Sequence, residues 1–332
     1  MGPVIWYAAQ WYVGAIVCVT STKFFVDVNP QFVKTITLTQ SLVCVVCARL
    51  WITSAHAAGD RPGSDGVSLP GAAAAPPPRG GVTPWRAVPP RLRLLIVASA
   101  FTWWGGFCLT YMAFSMMHAS VVEIVKATEA FPTVMLAALF VKGGGPTVAE
   151  VLALGTIVAG VCFASCGEGT YSAAGILATL LANLNFAACN LCLKVAFGGQ
   201  RYLNDANMLY RICQFAMLFE LCGAAPELML GLPHQSPGGG LAIASLLLVN
   251  GVSNFVHSRG MVMVCKHVRL SAQSAINCVR RGVLTVWTAL FFGTGISVLN
   301  GVGIGVTILG VFLFETLRSA RVRSPPKVLT RR

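Results

Sequence analysis

The stretch LSAQSAINCVRRGVLTVWTALFF, Leu270 to Phe292, is long and apolar enough to cross a bilayer, yet it carries two adjacent arginines at its middle. About 20 largely apolar residues span the hydrocarbon core as a helix. Arg280 and Arg281 stand about ten residues from either end, roughly 15 Å deep at about 1.5 Å rise per residue. Long basic side chains near a helix end snorkel to the headgroups, but from this depth they do not reach them. A charge at the bilayer centre costs at least about 2.5–3.5 kcal/mol on insertion scales, and it is retained where it has a partner or faces a wet cavity. Two readings of the pair follow: structural pairing with a carboxylate, or an anion-binding site. Cations outnumber the available carboxylates, which favours the anion site.

The composition of the whole chain agrees with the membrane reading. Of 332 residues, 55% are hydrophobic and 11% charged, against about 25% charged in an ordinary soluble domain. That excludes a soluble enzyme and a secreted disulfide scaffold. Nine further apolar segments join Leu270–Phe292: about Val4–Phe25, Gln31–Thr53, Leu94–Met116, Ser120–Val141, Thr147–Cys166, Ala173–Phe197, Asn207–Leu230, Leu241–Val264 and Val298–Glu315. The expected fold is an all-α membrane protein of ten transmembrane helices, arranged as two inverted five-helix repeats. Residues 1–55 hold the first two spans, 91–166 the third to fifth, and 173–318 the second repeat. Residues 319–332 form a basic tail. Between the second and third spans, residues 56–90 are dominated by Pro, Gly and Ala without periodicity, the signature of a disordered linker.

The loop charges test the span count. The chain has 24 Lys plus Arg against 11 Asp plus Glu, a net charge of +13. Ten spans place both termini on one face, and 16 of the 24 cations fall in the tail and loops of that face. The opposite loops Val26–Pro30, Gly167–Tyr171 and Pro226–Gly240 hold no Lys or Arg. This positive-inside alternation puts the termini in the cytosol or in the topologically equivalent compartment and explains most of the basic excess without nucleic acid. Met1 is followed almost directly by the first apolar run, so either the first span directs the chain into the secretory pathway or a targeting leader precedes the given sequence.

Eight cations remain in or beside the spans: Lys23, Lys34, Lys126, Lys194, Arg211, Arg259, Arg280 and Arg281. Lys23, Lys34, Lys194 and Arg211 lie near span ends, where snorkelling is the ordinary reading. Lys126, in the fourth span, has Glu123 and Glu129 three residues to either side on the same helical face. A local ion pair and a ligand role are both open for it. Glu123, Glu129 and Glu220 are the carboxylates well inside the spans. Arg offers a planar fork of donors that matches two phosphate oxygens, and Lys adds a compact charge. Two or three such cations suit a phosphate dianion. Charges that serve a ligand are expected to be dispensable for folding. An empty site with uncompensated cations also favours exchange over one-way transport.

Competing chemistries find little support. The five His are scattered, and neither a P-loop nor a G-x-S-x-G is present, so no enzyme and no cofactor is expected. The C-x-x-C pairs Cys44/Cys47 and Cys189/Cys192 lack a second Cys/His pair at zinc-finger spacing and read as small apolar residues. Gly301, Gly303 and Gly305 read as helix-packing positions. A repeat is visible as ALF at 138–140 followed by GTIVAGVCF at 155–163, and ALF at 289–291 followed by GVTILGVFLF at 305–314. Five helices repeated once have opposite orientations, as in many transporters with a midplane site.

At this point the residues resemble a known family. Ser274 to Arg281, S-A-I-N-C-V-R-R, is similar to the S-x-x-N-x-x-K-R segment of the plastidic triose-phosphate and other sugar-phosphate/phosphate translocators, within the drug/metabolite transporter superfamily. Glu123 to Glu129, E-I-V-K-A-T-E, resembles that family's V-x-K-A-x-E-P stretch, and Trp11, Tyr12 and Lys23 resemble its W-Y…N-K pattern. The resemblance implies that Lys126, Arg280 and Arg281 bind the substrate phosphate, with Thr110 contributing from the third span. It also shows departures. Arg280 stands where Lys is usual, Cys189 where Arg is common, and His257, a further candidate substrate-binding position, where Tyr is common. Thr22 replaces an Asn, and Pro132 does not directly follow Glu129. The phosphate-binding part is thus better matched than the part that reads the rest of the substrate.

The expected function is an organellar antiporter exchanging a sugar phosphate or small organic phosphate for inorganic phosphate. Two alternatives remain: a nucleotide-sugar antiporter of the Golgi or ER, and a non-transporting membrane protein whose charges make structural ion pairs. The expected setting is a multi-pass membrane protein of an organelle, in the Golgi/ER or the plastid envelope. Its partners would be a phosphorylated small molecule, inorganic phosphate and the lipid bilayer.

Overall fold

The computed structural model describes residues 2–28, 32–57, 81–140, 145–166, 172–197, 203, 205–229, 239–267, 270–293 and 298–323. Among them are eleven α-helices and no strand. In chain order these are α1 (Gly2–Val28), α2 (Val33–Ala57), α3 (Pro90–Met116), α4 (Ala119–Lys126), α5 (Ala130–Phe140), α6 (Val148–Cys166), α7 (Ala173–Phe197), α8 (Asp205–Met229), α9 (Gly239–His267), α10 (Leu270–Phe291) and α11 (Val298–Arg323). Helices α4 and α5 are two halves of the expected fourth span, joined by one 3₁₀ turn, Ala127–Glu129. By length and composition, segments of α1, α2, α3, α7, α9 and α11 are apolar enough to cross a membrane; in α6 the apolar part is the shorter Val148–Phe163.

Large apolar side chains face outward as well as inward, and polar groups are buried among the apolar ones. Leu139, Phe140, Leu152, Leu241 and Val298 are exposed, whereas Gln40, Glu123, Asn183 and Asn250 are buried. In lipid each backbone polar group must be satisfied within its own helix, and hydroxyls follow the same economy. Thr102, Thr179, Thr285 and Thr307 each donate to the carbonyl four residues back.

The helices pair in a fixed scheme: α6 with α11, α3 with α7, α1 with α9, α2 with α8 and α9, α3 with α8, and α4 with α10. Helices α6 and α11 approach closely through glycine. A Cβ on Gly160 would lie 2.5 Å from the Thr307 amide nitrogen, and one on Gly310 would lie 2.8 Å from that of Ile157, which brings α6 and α11 together. The Gly303 carbonyl also faces Gly160. Gly305 differs from expectation, because a Cβ there would meet open space.

Three further expectations need correction. Lys23 does not snorkel. It is buried, pairs with Asp27 at 2.5 Å, and donates to the carbonyls of Phe114 (2.7 Å) and Met117 (3.3 Å), so α1 caps the C-terminal end of α3. The segment taken as linker is in part ordered: the Thr83 amide donates to Asn207 Oδ1 at 2.9 Å, and its carbonyl accepts from Arg211 at 2.5 Å. Trp85 packs on Phe215, and Arg93 and Arg211 lie over its ring. Residues 58–80 of that segment lie outside the described residues. Among the cysteines, Cys18, Cys44, Cys189 and Cys213 are buried, but Cys162 is exposed on the outer face.

Replacing Gly310 by Leu should destabilise the detergent-solubilised protein by about 1–3 kcal/mol through overpacking. Replacing Gly305 by Leu should leave its melting temperature unchanged. Thermal denaturation of the two variants reads the difference.

Candidate functional site

The break between α4 and α5 organises the site. Pro132 has no amide hydrogen for the Thr128 carbonyl, and its ring crowds that carbonyl. The chain tightens to a 3₁₀ turn at Ala127–Glu129, a form that within a helix often marks a functional position. The Val125 carbonyl accepts from the Thr128 hydroxyl at 2.8 Å and from Asn183 Nδ2 on α7 at 3.2 Å; Asn183 also donates to the Thr128 oxygen at 3.1 Å. These bonds hold the last turn of α4 against α7 and fix where Glu123, Lys126 and Glu129 project.

Helix α10 faces them. Asn277, Arg281, Thr285 and Thr288 recur at three- and four-residue spacing and share one helical side. Arg281 reaches both carboxylates of the broken span: one Nη donates to Glu123 Oε2 at 3.1 Å, the other to Glu129 Oε2 at 2.5 Å. Glu129 Oε1 also accepts from Asn190 of α7 at 3.4 Å. Lys126 Nζ stands 3.6 Å from the other oxygen of Glu123 and 5.5 Å from the centre of the Phe186 ring. Lys126 and Arg281 therefore meet across one carboxylate. Glu123 is 0% exposed, Arg280 7%, and Lys126 and Arg281 8% each.

Arg280 is held differently. Its Nε and one Nη donate to Asn277 Oδ1 at 3.2 and 2.8 Å, and its guanidinium lies 5.2 Å over the Trp11 ring of α1. Among the described residues, none of the ion pairs involves it. Two buried atoms of the cluster have no hydrogen-bond partner among the described residues: Arg281 Nε, a donor, and Glu123 Oε1, an acceptor. Arg280 and Lys126 carry charge without a hydrogen-bonded carboxylate, so the cluster has donor capacity left for an incoming anion.

Lys126, Arg280 and Arg281 are thus brought together. His257 is close by: its Nδ1 lies 3.3 Å from the Trp11 carbonyl oxygen, and Trp11 carries Arg280 on its ring. Thr110 is not joined to the cluster by any described contact. It is buried with its hydroxyl donating to the Gly106 carbonyl at 2.8 Å. The expectation that these cations are dispensable for folding fails for Arg281, because two internal carboxylates bind it. Sequence reading missed the roles of Asn277, Trp11 and Asn190. Asn277, three residues before Arg280, and Trp11 both stand in the motifs quoted above, whereas Asn190 left no signal.

A groove of about 430 Å³ between α5 and α6 is unrelated to this chemistry. Phe131, Met135, Ala138, Val151, Leu154 and Val158 line it, and it offers nothing to an anion.

The triose-phosphate transporter family model matches residues 3–315. The chain is 31% identical over 233 residues to phosphoenolpyruvate/phosphate translocator 3, chloroplastic, of Oryza sativa subsp. japonica, covering 67% of this chain and 56% of the relative. It is 27% identical over 230 residues to phosphoenolpyruvate/phosphate translocator 2, chloroplastic, of Arabidopsis thaliana, covering 67% and 60%. It is 27% identical over 227 residues to the triose phosphate/phosphate translocator, non-green plastid, chloroplastic, of Brassica oleracea var. botrytis, covering 67% and 56%. The matches thus span a little over half the length of these relatives.

Replacing Arg281 by Gln should leave Glu129 without its ion pair and Glu123 with only the longer contact to Lys126, and cost about 3–5 kcal/mol, the usual penalty for breaking a buried pair. Arg280→Gln should cost clearly less. Melting curves of the purified variants give the ranking.

Proposed function

The chain belongs to the triose-phosphate transporter family, and from that premise we propose that it is a multi-pass organellar antiporter exchanging a phosphorylated small organic molecule for inorganic phosphate. Its phosphate seat is formed by Lys126 and Arg280, with Arg281 as the buried anchor between the two halves of the site. His257 and Thr110 are assigned, on the family resemblance, to reading the rest of the substrate. The observation that carries the reading is Arg280, a buried guanidinium without an ion-pair partner among the described residues. Such a charge inside a membrane is costly, and an anionic ligand is what offsets it.

The two-repeat architecture belongs to this proposal. Taking α4 and α5 as one span, exchange of the first five spans with the last five maps α1–α9 contact onto α7–α3, and α2–α9 onto α8–α3. It maps the α2–α8, α4–α10 and α6–α11 pairs onto themselves. The glycine contacts obey the same exchange: Gly160 meets Thr307, and its repeat-mate Gly310 meets Ile157. Inverted repeats with broken helices at a midplane site are the usual basis of alternating access. Exchange rather than one-way flux follows from charge. Three cations against two carboxylates leave the empty site with one net positive charge, and it reorients more readily with an anion bound.

The pairing of Arg281 with two carboxylates is what a purely structural role for the charges would require. Family membership and the unpaired Arg280 weigh against that role. In liposomes loaded with inorganic phosphate, the purified chain should catalyse phosphate counter-exchange. Arg280→Gln should reduce it roughly 30-fold or more, the effect of losing about 2 kcal/mol or more of a buried charge contact. Arg280→Lys should retain part of the rate. An unaltered rate in Arg280→Gln would remove the residue from the seat.

A further inference from the structure

Glu123 has no place in a site built only to attract anions. It is fully buried, it lies between two of the three cations, and its Oε1 has no hydrogen-bond partner among the described residues. We infer that Glu123 is a specificity-determining residue, which admits a phosphomonoester on a neutral, hydroxylated carbon skeleton and rejects a phosphorylated carboxylic acid. This rests on the proposal that Lys126 and Arg280 seat a phosphate.

Two observations lead there independently. The first is charge. Lys126, Arg280 and Arg281 face Glu123 and Glu129, so the cluster offers one net positive charge. A phosphomonoester carries about −1.5 to −2 near neutral pH and overshoots that charge by at most one unit. A phosphorylated carboxylate adds one more negative charge, and the two internal carboxylates have already taken up the cation that would meet it. Arg281 has one Nη on each of them, and releasing either gives up an ion pair within the membrane interior.

The second is hydrogen bonding. Glu123 Oε1 is an acceptor, and a carboxylate can only accept. Its ion-pair neighbour Lys126 Nζ lies at 3.6 Å, beyond hydrogen-bond length. The ligand group that satisfies Oε1 must therefore donate, as a hydroxyl does and an ionised carboxylate does not. A site that hydrogen-bonds a substrate hydroxyl discriminates strongly against an analogue lacking it, because the buried group is left unpaired. Arg281 Nε, the unpartnered donor on the same cluster, is matched by a phosphoryl oxygen.

Glycerol 3-phosphate and 3-phosphoglycerate differ at one carbon, which bears a hydroxyl in the first and a carboxylate in the second. The test loads liposomes holding the full chain with labelled inorganic phosphate and drives its release with each compound outside at equal concentration. The wild type should release label at least tenfold faster with glycerol 3-phosphate. Glu123→Gln, which removes the charge and adds a donor, should narrow that ratio by tenfold or more. An equal wild-type response to both compounds would overturn the inference whatever the variant does, and so would an unchanged ratio in a folded Glu123→Gln. External inorganic phosphate is the control. If it releases no label from the wild type, the phosphate seat itself is wrong, a failure separate from that of the selectivity.

Discussion

A charge buried in hydrocarbon has to be met by an opposite charge or by a ligand that brings one, and the centre of this protein is arranged around that requirement. Arg281 is met from within, by Glu123 on α4 and Glu129 at the end of the 3₁₀ turn that follows it. Lys126 shares Glu123 with it at longer range. Arg280 is met by an amide oxygen and an aromatic face, which orient a guanidinium without neutralising it. One helix thus presents two adjacent arginines with different duties. The first is the one we propose for the ligand, and the second ties α10 to the broken span.

The surrounding structure keeps that arrangement in place. Asn183 secures the last turn of α4, and Trp11 on α1 supports Arg280 while Tyr12 beside it donates to the Ile276 carbonyl of α10 at 2.5 Å. A second buried network ties α1, α2, α3 and α9. Gln40 donates to Asn250 at 2.5 Å, Tyr111 donates to Gln40 at 2.7 Å, and Asn250 donates to Ser21 and Thr22 at 2.8 and 2.9 Å. A fully bonded polar network of this kind fixes one packing arrangement among helices whose other contacts are apolar and non-directional. The close glycine contacts of α6 and α11 hold that pair together.

The spans were legible because hydropathy sums over about 20 residues, so one error in a position changes little. The cations at 126, 280 and 281 were legible because nothing cheap explains them in an apolar run. Which carboxylate serves which cation was not legible. That depends on the facing of α4 and α10, and Arg281 is 158 residues from Glu123. Pro132 was visible, but its effect, a 3₁₀ turn that parts α4 from α5, depends on Asn183 taking over the Val125 carbonyl. Lys23 was read as a snorkelling residue from its place near a helix end, and only the fold brings the α3 carbonyls to it. The docking of Thr83 on Asn207, 124 residues away, leaves no periodic trace in a Pro- and Gly-rich stretch. Thr110 and His257 rested on family resemblance. The fold sets His257 beside Trp11 and turns the Thr110 hydroxyl back to its own helix.

The division of labour between the two arginines is tested most directly by ligand stabilisation. A ligand that binds the folded state raises its stability in proportion to the logarithm of its saturation. Inorganic phosphate added to the detergent-solubilised wild type should raise the melting temperature progressively with concentration. The same titration of Arg280→Gln, starting from a folded protein of nearly wild-type stability, should show no rise. A full phosphate-dependent rise in Arg280→Gln would contradict the assignment of Arg280 to the ligand.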